Sequence, residues 1–332
     1  MMFKLFNKMR KSIVYFALKV CFMNLPFAFF WRLSSLLSSQ LISPISLSRT
    51  ISNINLIAPN SSPKIYQFFK NILSALLINR HLSLYHGNNE KTIKNYTDRI
   101  FANSLISDSD NLKVSLTNSP CILGLIHSGD YFVSVMQVAK LLEGKNIKLI
   151  ILIGDEIAPL AQAIENLKLV LDIQIECVFV SRSGLLSIFR RARDPQYRIL
   201  FFCDLSPQNG STRYDNSYPC VLFGKNARLV SGVFQISAKI QLPFILMAGS
   251  ISKNGFQLNL LGSVKPSYTF NSLFSKIVQL IELFVSKNPA QWLFTPVLET
   301  YFHLPAHLMD EAISDQRRKM KALYLKFIEV KS

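Results

Sequence analysis

The residue best placed to do chemistry is His127, which follows the apolar run Cys121-Ile-Leu-Gly-Leu-Ile and precedes the turn Ser128-Gly129-Asp130. In α/β folds, reacting groups collect at the C-terminal ends of strands, and the first free N–H groups of the next helix face the same crevice. A neutral imidazole there can take a proton from a hydroxyl or an amine while those N–H groups stabilise developing negative charge. A carboxylate that orients the ring normally completes such a base. Asp130 is the nearest candidate for that partner. An Asp at a helix N-terminus is also an ordinary capping residue, in which case the imidazole works alone or with Asp204.

Rival chemistries find less support. Ser128 lacks the Gly two positions earlier that a Gly-x-Ser-x-Gly elbow requires. Neither a Walker loop nor a dinucleotide fingerprint occurs, and Ser250-x-x-Lys253 stands without companion motifs. His81, His86, His303 and His307 have no ligand-like spacing. The five cysteines, Cys21, Cys121, Cys177, Cys203 and Cys220, lie scattered in apolar runs. They read as buried small hydrophobes in a reducing compartment, so no disulfide framework, metal or cofactor is expected.

For His127 to stand at a strand end there must be a sheet, and the middle of the chain alternates short apolar runs with helical stretches as an α/β fold does. The patterning predicts strands at 121–126, 148–153, 175–180, 198–203, 244–247 and 256–261. Helices are predicted at 131–142, 159–167, 185–192, 231–240 and 273–285, with a helical layer at 65–84 and 96–105. Residues 42–63, rich in Ser, Asn and Pro, read as a linker. The resulting division is an anchor (1–50), a helical cover (51–115), an α/β catalytic domain (116–300) and a polar C-terminal tail (301–332).

The net charge of +17 is unevenly placed, since no acidic residue precedes Glu90. In that cationic quarter Lys4, Lys8, Arg10, Lys11 and Lys19 mingle with Phe3, Phe6, Phe16, Phe22 and Trp31. Cations interleaved with large apolar groups suit an anionic bilayer surface better than nucleic acid. Lys19, Asn24, Pro26 and Arg32 interrupt any span of the ~20 apolar residues needed to cross a bilayer. A retained, partly inserted anchor is therefore expected over the alternative of a cleaved signal peptide, since no small-x-small cleavage site precedes the Ser-rich region. A second basic stretch carries Arg182, Arg190, Arg191, Arg193, Arg198, Arg213, Lys225 and Arg228. It is either a solvated face or a rim for an anionic substrate.

His127-x-Gly129, Arg198 to Asp204, Val221 to Ala227 and Asn288 to Trp292 form an ordered series of motifs, and that series resembles the bacterial lipid A late acyltransferases, the lauroyl/myristoyl branch of the lysophospholipid acyltransferase-like superfamily. His127 and Gly129 match that family's His and the Gly two positions on. Arg198 to Asp204 resembles its strand ending in Asp, and Val221 to Ala227 its Phe-Phe-Gly-x-x-Ala segment. Asn288-Pro-Ala-Gln-Trp292 resembles its Pro-Glu-Gln-Trp/Tyr block. The resemblance, from about Ser119 to Phe294, implies a mixed central sheet flanked by helices, with membrane-associated helices N-terminal to it. It also implies acyl transfer from an acyl carrier protein or acyl-CoA donor to a membrane lipid acceptor, at the cytoplasmic face of a bacterial inner membrane. His127 and Asp130 are then the catalytic residues, with Gly129, Arg182, Asp204, Lys225 and Arg228 as substrate-binding residues. Two departures stand out. The family's acid five residues after the His is Phe132 here, which raises the alternative of a non-catalytic protein that binds acyl carrier or lipid. The family's basic block after the Trp is replaced by Thr295-Pro-Val-Leu-Glu-Thr, which weighs against lipid A as acceptor.

Overall fold

The structure, a computed structural model, describes residues 26–27, 29–31, 44–59, 81, 84–85, 89–107, 109–153, 158–179, 188, 190–207 and 217–302. Strands buried on both faces read as unbroken apolar runs, and those runs become the sheet. The strands are β1 (Ser104–Ile106), β2 (Ile122–Ile126), β3 (Lys148–Ile153), β4 (Gln174–Phe179), β5 (Tyr197–Phe202), β6 (Ser217–Leu222), β7 (Lys225–Val230), β8 (Phe244–Ser252) and β9 (Gly255–Val264). Seven form one mixed sheet in the order β1-β9-β8-β2-β5-β3-β4, while β6 and β7 make a separate hairpin. Every pairing in the large sheet is parallel except β8 with β9. β2, all five residues of it buried, lies between β8 and β5.

Helices cover both faces: α1 (Pro44–Ile57), α2 (Glu90–Ala102), α3 (Ser109–Asn118), α4 (Tyr131–Leu142), α5 (Ala158–Glu165), α6 (Gly232–Ile240) and α7 (Phe270–Lys287). One apolar cluster joins α2, α4 and α5 to the sheet, and a second joins α6 and α7 to it. Helix α4 is buried at almost every position from Phe132 to Leu142, as a helix apolar all round must be. Helix α7 is amphipathic, and starts at a Thr269–Ser272 capping box that satisfies two otherwise orphaned backbone groups.

The fold is thus α/β, as the patterning predicts, with a mixed central sheet, and the local differences have identifiable causes. The supposed linker contains α1, because Ile54 and Ile57, three apart, bury one apolar stripe against the rest of the protein. Helix α1 also crosses the boundary drawn at residue 50. The expected helix 96–105 ends at Ala102, and Ser104–Ile106 instead pairs with β9 as an edge strand. The hairpin β6–β7 escaped the pattern because its exposed and buried residues alternate in short runs around Phe223-Gly224, both in left-handed backbone conformation. Among the described residues no helix is long and apolar enough to cross a membrane. The anchor before Pro26, nearly all of the helical stretch 65–84 and the tail after Phe302 lie outside the described residues, as does half of the helix expected at 185–192.

One member of the basic stretch is a structural residue. Arg198 is wholly buried, and its guanidinium donates to the carbonyls of Leu116, Thr117, Pro195 and Tyr197. It caps the C-terminal, negative end of α3 and ties that helix to β5. Burial lowers its pKa, and four carbonyls offset part of that desolvation cost. Arg190, Arg191 and Arg193 precede β5, at the edge of the sheet opposite His127. The sequence stretch is therefore not one continuous rim.

Candidate active site

Strand register brings the central pair together. β2 and β5 run parallel with Leu125 opposite Phe202, and the Cys203 N–H donates to the Leu125 carbonyl at 2.9 Å. Continuing both chains two residues past that rung puts His127 beside Asp204, which lie 77 residues apart in sequence. His127 Nδ1 is 2.7 Å from Asp204 Oδ1, and the His127 backbone N–H donates to Oδ2 at 2.8 Å. A carboxylate offers only lone pairs, so Nδ1 carries the proton and Nε2 presents its lone pair.

Asp204 is held from two further directions. Trp292 Nε1–H donates to Oδ2 at 2.8 Å, and the Tyr301 hydroxyl donates to the Asp204 carbonyl at 2.5 Å. Asp204 is fully buried, whereas the His127 side chain keeps 13% of its surface exposed. The pair thus has a fixed, dry end and an accessible end. Phe202 stacks on the imidazole at 4.1 Å between centroids, and Phe294 and Tyr131 meet it edge-on at 5.0 and 5.2 Å. Three aromatic walls fix the ring plane and leave an apolar surface beside it.

The turn after His127 is pinned residue by residue. Ser128 donates through Oγ to the Gly249 carbonyl at 2.8 Å. The Gly129 N–H donates to the Gln291 carbonyl, and the Leu293 N–H to the His127 carbonyl, both at 2.8 Å. Gly129 has φ of 56°, and a Cβ there would sit 2.8 Å from the Ser250 backbone. Only glycine fits both the left-handed conformation and the close approach of β8.

These contacts revise several expected roles. Asp130 is not the carboxylate that meets His127. Its Oδ1 caps the Val133 N–H at 3.1 Å, and its Oδ2 lies 2.7 Å from Nε2 of buried His81. A residue three places along a turn that enters a helix points into the helix start, which is why the nearest acid in sequence is not the partner. Gly129 likewise serves the turn, because its N–H is spent on Gln291. The Val133 N–H at the start of α4 is also spent, on Asp130, and so is not free for an oxyanion. Phe132 is fully buried and stacks on His81 at 4.9 Å, on the core side of the turn. The imidazole instead touches its neighbour Tyr131.

Asp204, expected to bind substrate, is instead the imidazole's carboxylate. Lys225 is exposed on the hairpin, with Nζ 5.2 Å over the Phe302 ring. Arg228 Nε and Nη2 donate to Oγ and the carbonyl of Ser217 across the same hairpin, both at 2.9 Å. The hairpin abuts the site through Phe223, 6.1 Å from Trp292. Arg182 lies outside the described residues.

Trp292, Tyr301 and Gln291 had no assigned role in the sequence reading. The Asn288-to-Trp292 block was the one available signal for Trp292, and nothing marked Tyr301. Cys203, next to Asp204, is no rival nucleophile, because burial and the Asp204 carboxylate push its thiol far above the ordinary range. Burial also raises Cys121 to about 11 and Cys220 to about 12. Among the described residues no cluster of three His, Cys, Asp or Glu could hold a metal ion. No protein-family model matches the chain, and no curated protein matches it.

Proposed function

We propose that this protein is a membrane-associated acyltransferase of the lipid A late acyltransferase-like type, with His127 as general base. The observation that carries the reading is the His127–Asp204 pair, with Nδ1 tied to a buried carboxylate and Nε2 at the accessible end. In the reaction, Nε2 takes the proton of an acceptor hydroxyl or amine as that group attacks the thioester carbonyl of an acyl carrier protein or acyl-CoA. The C–S bond breaks as the tetrahedral intermediate collapses, and the leaving thiolate takes the proton from Nε2. The products are an ester or amide and a free thiol, with no covalent enzyme intermediate. Asp204 keeps the imidazole in the required tautomer and stabilises its cationic form between the two proton transfers. The acceptor is a lipid, glycolipid or secondary metabolite.

The substitution of Phe132 for an acid motivates the non-catalytic alternative. Asp204 weakens that motive, since it supplies a carboxylate from β5. Thioester turnover separates the two readings. Purified protein with membranes as acceptor source should release thiol from acyl-carrier or acyl-CoA donors and form labelled lipid. Donor binding without thiol release or transfer would replace the enzyme by a binding protein.

The membrane partner is proposed from the acid-free, aromatic-rich N-terminal quarter, which suits an anionic cytoplasmic leaflet of a bacterial inner membrane. The protein should sediment with membranes, and removal of residues 1–40 should release much of it. Recovery of intact protein wholly in the soluble fraction at moderate salt contradicts the proposal.

Lys225 is the cation on the described hairpin best placed to meet an anionic donor or acceptor. Lys225→Ala should raise an apparent KM by about fivefold, the scale of one exposed charge. Arg228→Ala should instead lower thermal stability, because its guanidinium cross-braces the hairpin. An unchanged KM in Lys225→Ala returns that side chain to the solvated surface.

A further inference from the structure

Behind the turn that carries His127 lies a second imidazole–carboxylate pair that the transfer reaction does not use. His81 and Asp130 have fully buried side chains, with Nε2 and Oδ2 2.7 Å apart. A buried histidine carries a desolvation cost, so its presence calls for a reason. Asp130 supplies it. Helix α4 starts inside the protein and needs a side-chain cap, which Asp130 gives through Oδ1 to the Val133 N–H. The other oxygen, Oδ2, is buried and requires a donor, and His81 Nε2–H provides it at 2.7 Å.

The rest of the His81 ring fits this single task. It stacks on Phe132 at 4.9 Å and 11°, and meets Tyr96 edge-on at 5.5 Å. Among the described residues, Nδ1 has no hydrogen-bond partner. The ring therefore spends one nitrogen on Asp130 and packs its faces and edge against aromatic side chains.

Resting on the acyl-transfer reading for its kinetic consequence, we propose that His81 is a positioning residue for His127, acting through Asp130. The path is short: His81 fixes Asp130, Asp130 fixes the start of α4 and the end of the turn, and His127 immediately precedes the turn. The turn is already tied down on both sides of Ser128, because the Gly129 N–H donates to the Gln291 carbonyl and the Leu293 N–H to the His127 carbonyl, both at 2.8 Å, so a displaced Asp130 is felt at His127. The molecule thus holds its imidazole base with two acid–imidazole pairs, one in front of the turn and one behind it.

His81→Phe keeps the stack on Phe132 and removes the donor, whereas His81→Gln can place an amide N–H near the position of Nε2. The first should lower kcat roughly tenfold, the effect of a small misplacement of a reacting group, with donor KM changed less than twofold. The second should restore most of the rate. Carbethoxylation of His127 by diethyl pyrocarbonate, followed by mass spectrometry, reads the same effect without any acyl transfer. Its rate should change at least about threefold in His81→Phe and return in His81→Gln, on the same geometric ground. This arm still decides the proposal if the protein transfers no acyl group. Asp130→Asn serves should His81→Phe fail to fold, since it retains the cap oxygen while turning a donor toward His81. It should reproduce the loss, and combining it with His81→Gln should cost less than the sum of the two changes. Wild-type kcat and wild-type His127 reactivity in folded His81→Phe, or a loss that His81→Gln does not repair, would overturn the proposal.

Discussion

Asp204→Asn should lower acyl transfer by about 100-fold or more while leaving the protein folded, the scale on which a misoriented general base fails. The geometry gives the reason. Oδ2 of Asp204 receives two N–H donors, from the His127 backbone and Trp292 Nε1, so an amide there keeps its oxygen on that side. Its NH2 group then faces His127 Nδ1 and forces the proton onto Nε2, the atom that must accept one. His127→Ala should show a similar loss. It also strips a donor from a buried carboxylate, which costs about 1–3 kcal/mol. His127→Asn is the cleaner variant, since its amide N–H can replace Nδ1–H while no base remains. Asp130→Asn should cost roughly tenfold, the scale of a displaced rather than disabled base. Parallel measurement of kcat and Tm across these variants checks the assignment. A large loss in Asp130→Asn beside a small one in Asp204→Asn would exchange the roles of the two carboxylates.

Phe132→Glu, which places an acid five residues after His127, should destabilise the protein and not raise its activity. The ring is fully buried between His81 and Tyr85, with centroids 4.9 and 5.3 Å away. Loss of that packing alone is worth about 3–5 kcal/mol, before any cost of burying a carboxylate is added. Against a typical total stability of about 5–15 kcal/mol, this predicts a Tm lower by on the order of 10 °C or a failure to fold. Phe132→Leu, which keeps the site apolar, should lose far less. A soluble Phe132→Glu protein with a faster turnover would mean that residue 132 does reach the imidazole.

The sequence by itself determined what depends on local pattern. The apolar runs at 121–126, 148–153 and 198–203 sufficed to mark buried strands, since few other structures bury both faces of so short a segment. The step from such a run to a Ser-Gly-Asp turn sufficed to put His127 at a strand end. What tertiary structure alone decided was everything set by pairing between distant segments. Asp130 stands three residues from His127 and turns away from it, while Asp204, 77 residues away, meets it at 2.7 Å. Local spacing fixes which way a side chain leaves its own turn, but a neighbour across a parallel sheet follows from register, which depends on how whole strands share a core. The same holds for Trp292 and Tyr301, which reach Asp204 from the far end of the chain. It holds too for His81, whose isolation in the sequence gave no sign of the buried carboxylate it serves. The strand end and turn that carry His127 are thus legible in the sequence, whereas the partners of its imidazole are set by the sheet.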